Sequence, residues 1–218
     1  MRQYPVVLSA LLVFSSSPLF AQQQPAHSGF LESYPAMQPD TKRPGAFIYV
    51  APGATLKGYH KVALAPILVW YAKDSPYQGI NPEDLAGVTK NFRAALVKNL
   101  EPKYPVVDAT GPDVLQLRIA ITQVYAEKKK RGILGYTPVG FVVGAAKDMA
   151  TAGPNVNLNS ATIEAELLDP SGKQIAVSMD PLVIDADKRE KLTFAQIADI
   201  LDAAGKRIRA RMDADNPP

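Results

Sequence analysis

Cysteine is absent from all 218 residues, which excludes disulfides, thiolate metal sites, cysteine nucleophiles and a lipid anchor built on cysteine. Histidine occurs twice, at His27 and His60, too sparsely for a histidine-rich metal centre or for most catalytic triads. Charge of one sign is scarcely in excess. The 24 basic and 21 acidic residues leave a formal +3, too little for a nucleic-acid footprint, so no nucleic-acid partner is expected. HExxH, GxxxxGK[ST] and GxSxG are missing, which removes the usual routes to a zinc hydrolase, a phosphate-cradling loop or a nucleophile elbow. No metal and no cofactor are expected. No apolar run reaches the roughly 20 residues of a membrane-spanning helix.

What is present begins with an export pattern. Met1–Ala21 has one early cation, Arg2, an apolar stretch, and Pro18 ahead of small Ala21, and the first acidic residue is Glu32. This predicts a signal peptide cleaved after Ala21 and a protein that is soluble in the periplasm. Gln22–Gly45, rich in Gln and Pro, has no sustained apolar period and predicts an extended arm with Phe30, Leu31, Tyr34 and Met37 as docking points. Residues 46–213 are expected to form one α/β domain, with 214–218 as a tail.

Two helices are marked by their starts. Asn81-Pro82-Glu83-Asp84 offers a cap, a proline at the first helical position and acids at the positive dipole end. Leu85, Val88, Phe92, Ala95, Leu96 and Leu100 then make one apolar stripe. Thr193 with Gln196 is a capping-box pattern, followed by a stripe from Phe194 through Ile197, Ile200, Leu201, Ala204 and Ile208 to Met212. Lys206, Arg207, Arg209 and Arg211 near that helix's end are read as a solvated face favoured by the dipole.

Strands follow from alternation. Leu115, Leu117, Ile119 and Ile121 oppose Gln116, Arg118, Ala120 and Thr122; Ala161, Ile163, Ala165 and Leu167 oppose Thr162, Glu164 and Glu166. Asp169-Pro170-Ser171-Gly172 turns the chain into Lys173–Asp180, where Ile175, Val177 and Met179 alternate again. His60–Tyr71 is almost wholly apolar, as in a strand covered on both faces, and Pro66 within it implies a bulge or edge. With fragments at Ala46–Val50 and Tyr104–Asp108 the count is about six. The expected fold is an α/β two-layer sandwich, a mixed and mostly antiparallel sheet with both amphipathic helices on one face.

SGFLESYPAMQP at Ser28–Pro39, YVAPGATLKGYHKVALAP at Tyr49–Pro66, GPDVLQLRIAITQV at Gly111–Val124 and ATIEAELLDPSGKQIA at Ala161–Ala176 together resemble a bacterial envelope family, often lipoproteins, called domain of unknown function 3313. The resemblance spans about Ser28 to Met212 and implies an α/β fold in the cell envelope. It supplies no catalytic residues. The missing cysteine departs from the lipoproteins and favours a freely soluble form.

Gly132–Gly153 is apolar and glycine-spaced, and it follows the basic run Lys128-Lys129-Lys130-Arg131. It has two readings. One is contact with an envelope protein or a membrane surface through Ile133, Leu134, Tyr136, Phe141, Val142 and Val143, with the cations meeting phosphates. The other is a fold back over the second face of His60–Tyr71, which gains buried apolar area. Trp70, Tyr71 and Tyr77 are read either as a ligand groove or as core packing. Glu164 and Glu166, roughly 6.6 to 7 Å apart on one strand face, lie near the separation of an inverting glycosidase pair. With no aromatic sugar platform beside them they read better as a solvated outer face alternating with Ile163, Ala165 and Leu167. Ser171 and Lys173 read as turn chemistry.

The leading functional expectation is a non-enzymatic periplasmic binding or accessory domain acting through its arm, through Gly132–Gly153, or both. The rivals are an envelope hydrolase using Glu164 and Glu166 or Asp180 and Asp185, and a small-ligand carrier near Trp70. The oligomeric state is left open.

Overall fold

The computed structural model describes residues 26–78, 82–101, 103–128, 156–182 and 194–215. In chain order the elements are β1 (Gln38–Pro39), β2 (Phe47–Val50), β3 (Lys61–Leu64), β4 (Leu68–Tyr71), α1 (Pro82–Leu100), β5 (Val106–Val107), β6 (Val114–Lys128), β7 (Val156–Leu168), β8 (Gln174–Leu182) and α2 (Phe194–Asp215). Both helices form where the apolar stripes run. The residues expected to cap them, Asn81 and Thr193, lie outside the described residues.

The eight strands make one sheet in the order β1-β2-β8-β7-β6-β3-β5, with β4 also paired to β6. Pairing is antiparallel from β1 to β6 and parallel where β3 and β4 meet β6 and where β5 meets β3. Eight strands replace the expected six for two reasons. The two-residue β1 is too short to show a period, and the run His60–Tyr71 is broken at Pro66. β3 and β4 lie end to end along β6, so the residues around Pro66 need no continuous ladder there. The break is well satisfied: the Ala65 amide still donates to the Leu117 carbonyl at 3.0 Å, and Arg93 of α1 donates to the Leu64 carbonyl at 2.9 Å.

The turn before β8 follows its chemistry. One oxygen of Asp169 accepts from the Ser171 amide, the Ser171 hydroxyl and the Lys173 amide, and Gly172 takes a φ of 85°. The hydrogen bond from Ser171 is the main reason the Asp169 carboxyl lies below its usual range.

Both helices cover one sheet face. Phe92, Leu96 and Leu100 of α1 and Leu201, Ala204 and Met212 of α2 are buried in one cluster with Leu115, Leu117, Ile119 and Ile163. They cross closely at Gly205, where a Cβ would stand 3.1 Å from the Asn99 side-chain nitrogen and 3.3 Å from the Ala95 carbonyl oxygen. Gly205→Val should therefore wedge the helices apart and cost about 1–2 kcal/mol in chemical denaturation. An unchanged midpoint would show that the crossing gives way freely.

The basic end of α2 is not the solvated face expected. Arg209 donates to the Asn99 and Leu100 carbonyls at the end of α1, the latter also accepting from the Lys103 and Tyr104 amides, and to Asp213 at 2.7 Å. Burial raises the Asp213 carboxyl, but bonds from Arg209 and Lys103 outweigh it and hold the group below its usual range. Arg207 and Arg211 are also ion-paired, to Asp180 and Asp40, and of the four cations expected there only Lys206 stays exposed.

The other sheet face is covered by the arm. Phe30, Leu31 and Met37 are buried against Phe47, Ala120, Val177 and Met179. Val177 and Met179 thus leave the helix-side core that Ile175 joins. The ladder explains the split: Leu167 pairs with Ala176 but Leu168 pairs with Gln174, so a bulge at Ile175 shifts the alternation by one residue.

Candidate functional site

The acidic pair on β7 sits between sheet and arm. Glu164 and Glu166 are 0% and 1% exposed, which corrects the expectation of a solvated outer face. Alternation gave their direction correctly but could not show that residues 28–37 lie over them. Glu164 accepts from the Thr122 hydroxyl at 2.6 Å and from the Tyr34 hydroxyl at 2.9 Å. Glu166 is ion-paired with Arg118 on the neighbouring strand and accepts from the Gln174 amide at 2.8 Å. Gln174 in turn exchanges hydrogen bonds with Ser33 of the arm.

Tyr34 organises the arm. Its hydroxyl donates to Glu164 and accepts from the Gly29 amide at 2.9 Å, drawing the 28–34 loop around one oxygen. His27 stacks on the Tyr34 ring at 4.0 Å, and the Arg118 guanidinium lies 5.4 Å from the Phe30 ring centroid. Phe30 and Tyr34, expected as docking points, are therefore docked on their own sheet. From residue 26 onward the arm packs as a layer of the domain.

Trp70, Tyr71 and Tyr77 do not converge on a groove. Trp70 lies on the arm side, edge-on to Phe30 and 37% exposed, whereas Tyr71 packs against the helix-side core. Adjacent strand residues point to opposite faces, which makes this unavoidable. Tyr77 lies past the end of β4 and presents its carbonyl to Ser75. Ile133, Leu134, Tyr136, Phe141, Val142 and Val143 lie outside the described residues, as does Asp185. His60 is exposed and far in sequence from His27, and among the described residues no group of three metal-ligating side chains assembles.

One concave site was not foreseen. A cleft of about 390 Å³ opens between α2 and the helix-side rows of β2, β8 and β7. Cross-strand pairing sets Ile48 beside Ser178 and Ala165, and Val50 beside Ala176 and Leu167. Where α2 passes over, the sheet offers Ala165, Ala176 and Ser178, and the helix offers Ala210 and Ala214. These small side chains leave the space, and their clustering across two strands and a helix cannot be seen in a linear sequence.

The cleft is bounded on one side by the turn at residues 40–43. Arg43 and Arg207 both reach Asp180, each at 2.9 Å, and Arg211 pairs with Asp40. Asp180, another acid considered for hydrolysis, is thus clamped between two guanidinium groups and only 6% exposed.

The family model described as "Protein of unknown function (DUF3313)" matches residues 26–208. The chain is a DUF3313 protein. The match begins at the arm, so the layer over Glu164 and Glu166 belongs to the stretch that defines the family. No curated protein matches this DUF3313 chain. Among solved structures it is similar to a PelC dodecamer from Paraburkholderia phytofirmans, at 12% identity and TM-score 0.36, covering 77% of this chain and 96% of that one. A DUF4136 family protein from Bacteroides thetaiotaomicron has 8% identity and TM-score 0.39, covering 77% and 95%. The uncharacterized lipoprotein B from Nitrosomonas europaea has 14% identity and TM-score 0.28, covering 75% and 90%. No helix among the described residues is long and apolar enough to cross a membrane.

Proposed function

We propose that this DUF3313 protein is a non-enzymatic binding or accessory domain of the cell envelope, exported to the periplasm and acting by contact. The observation that carries this reading is the state of its acids. Glu164 and Glu166, the pair best placed for acid–base hydrolysis, lie beneath the arm with hydroxyl, amide and guanidinium partners from their own chain. A general acid or base must instead reach the proton it transfers. The export pattern of Met1–Ala21 supports the compartment, and the lack of cysteine supports a form without a lipid anchor.

The contact segment in this reading is Gly132–Gly153. Lys128 and Val156, the nearest described residues on either side of it, are paired partners at the end of the β6–β7 ladder. Deleting residues 133–146 should abolish co-purification of envelope proteins or anionic vesicles while leaving the melting temperature unchanged. Retention of those partners by the shortened protein would refute the contact role. Assay of purified protein on peptidoglycan and polysaccharides tests the hydrolase alternative. Turnover that disappears in Glu164→Gln would replace the present reading with that one.

A further inference from the structure

We propose that the cleft beneath α2 binds a single-chain amphiphile, its apolar tail lying along the sheet and its anionic head at the basic rim beside residues 40–43. The cleft's volume, about 390 Å³, falls within the roughly 300–1,000 Å³ of small-molecule sites. Its walls are aliphatic: Ile48, Leu167 and Ile175 from the sheet, Ile208 and Met212 from α2. Filling such a space with a hydrocarbon chain gains the transfer free energy of the tail and asks for few hydrogen bonds in return.

The rim decides the sign of the head. Lys42, Arg43, Arg207 and Arg211 all line the cleft, and the two carboxylates that neutralise them are Asp40 and Asp180. Glu166, whose residue also borders the cleft, is committed to Arg118. Four cations against two anions leave an excess of positive charge where the apolar walls end. Each guanidinium carries five N–H donors in a planar fork, more than its bonds to Asp40 and Asp180 use. Carboxylate and phosphate oxygens fit such a fork equally well, so both heads share the recognition chemistry.

The assignment rests on the binding reading above and gives its ligand class. It can fail alone, because the envelope pull-down does not depend on a bound chain. The test titrates the chain from Gln22 onward, by calorimetry and native mass spectrometry, with palmitate, palmitoyl lysophosphatidic acid and uncharged hexadecanol. One equivalent of either anion should bind at least about tenfold more tightly than hexadecanol. Ala176→Trp, which fills the cleft from the sheet, should weaken the anions by about tenfold or more. Ala214→Trp, at an exposed position of α2, should do the same without disturbing the core. Lys42→Gln should weaken the anions severalfold and leave hexadecanol unaffected. The order of the two anions identifies the head, and either order agrees with the assignment. Absence of saturable binding, equal affinity for hexadecanol, or full affinity in both tryptophan variants would overturn it. So would palmitate binding that appears only when residues 133–146 are deleted, since the cleft would then be filled by the chain itself. Dimerisation abolished by Ala176→Trp without amphiphile would also overturn it, assigning the cleft to a second copy.

Discussion

Removing residues 26–37 is expected to abolish cooperative folding of the domain. Phe30, Leu31 and Met37 are each at most 6% exposed, and burial of such side chains contributes roughly 1.5–3 kcal/mol apiece. The backbone entropy of the arm opposes that gain, so what holds it is burial of both facing surfaces together with the hydrogen bonds at Tyr34 and Ser33. Deletion also uncovers what lies below. Phe47, Val177 and Met179 would face water, and Glu164 would lose its bond from Tyr34. Together these losses are comparable to the whole stability of a domain, about 5–15 kcal/mol. The truncated protein should lose its sharp thermal transition and bind a hydrophobic dye. A synthetic peptide spanning Ser28–Pro39, added in excess, should restore part of the transition. A truncated protein melting within a few degrees of the full chain would show that the arm is not a structural layer.

The importance of that layer was hidden in the sequence for a specific reason. Periodicity reveals an element that repeats its contacts, and the two helices, β6 and β7 were legible that way, while the turn at Asp169 showed in its Asp-Pro-Ser-Gly chemistry. Pro66 likewise marked the break between β3 and β4. Among the described residues the arm's apolar contacts with the sheet come from Phe30, Leu31, Tyr34 and Met37, at irregular spacing and among prolines, so it gives no periodic signal. Its chief signal is one the alternation misassigned. A strand face carrying Thr162, Glu164 and Glu166 looks solvated until a tyrosine and an arginine from elsewhere satisfy it. The bulge at Ile175 concealed the rest, because it sends Val177 and Met179 to the arm side while Ile175 stays with the helices. The cleft left even less trace, since what defines it is missing volume at Ala165, Ala176 and Ser178.

Arg118→Ala is expected to destabilise the domain by about 3 kcal/mol, measured as a shift of the urea midpoint at constant slope. Glu166 is 1% exposed and, among the described residues, pairs with Arg118 and accepts from Gln174, so truncation strands a buried acid with Gln174 as its described partner. Arg118 also lies over the Phe30 ring, so its loss loosens the arm as well. Its own side chain is 35% exposed, which keeps the penalty at the low end for breaking a buried pair. The diagnostic measurement is the double variant. Glu166→Leu in the Arg118→Ala background removes the stranded acid and should recover much of the lost stability, because an apolar side chain suits a face already lined by Val177 and Leu31. Strictly additive losses in the cycle would mean that the two residues act independently and that the arm is held by apolar contact alone. Strong coupling would show why the sheet keeps acids at this depth: they fix where the arm lies, a specificity that apolar packing against a flat sheet face does not supply.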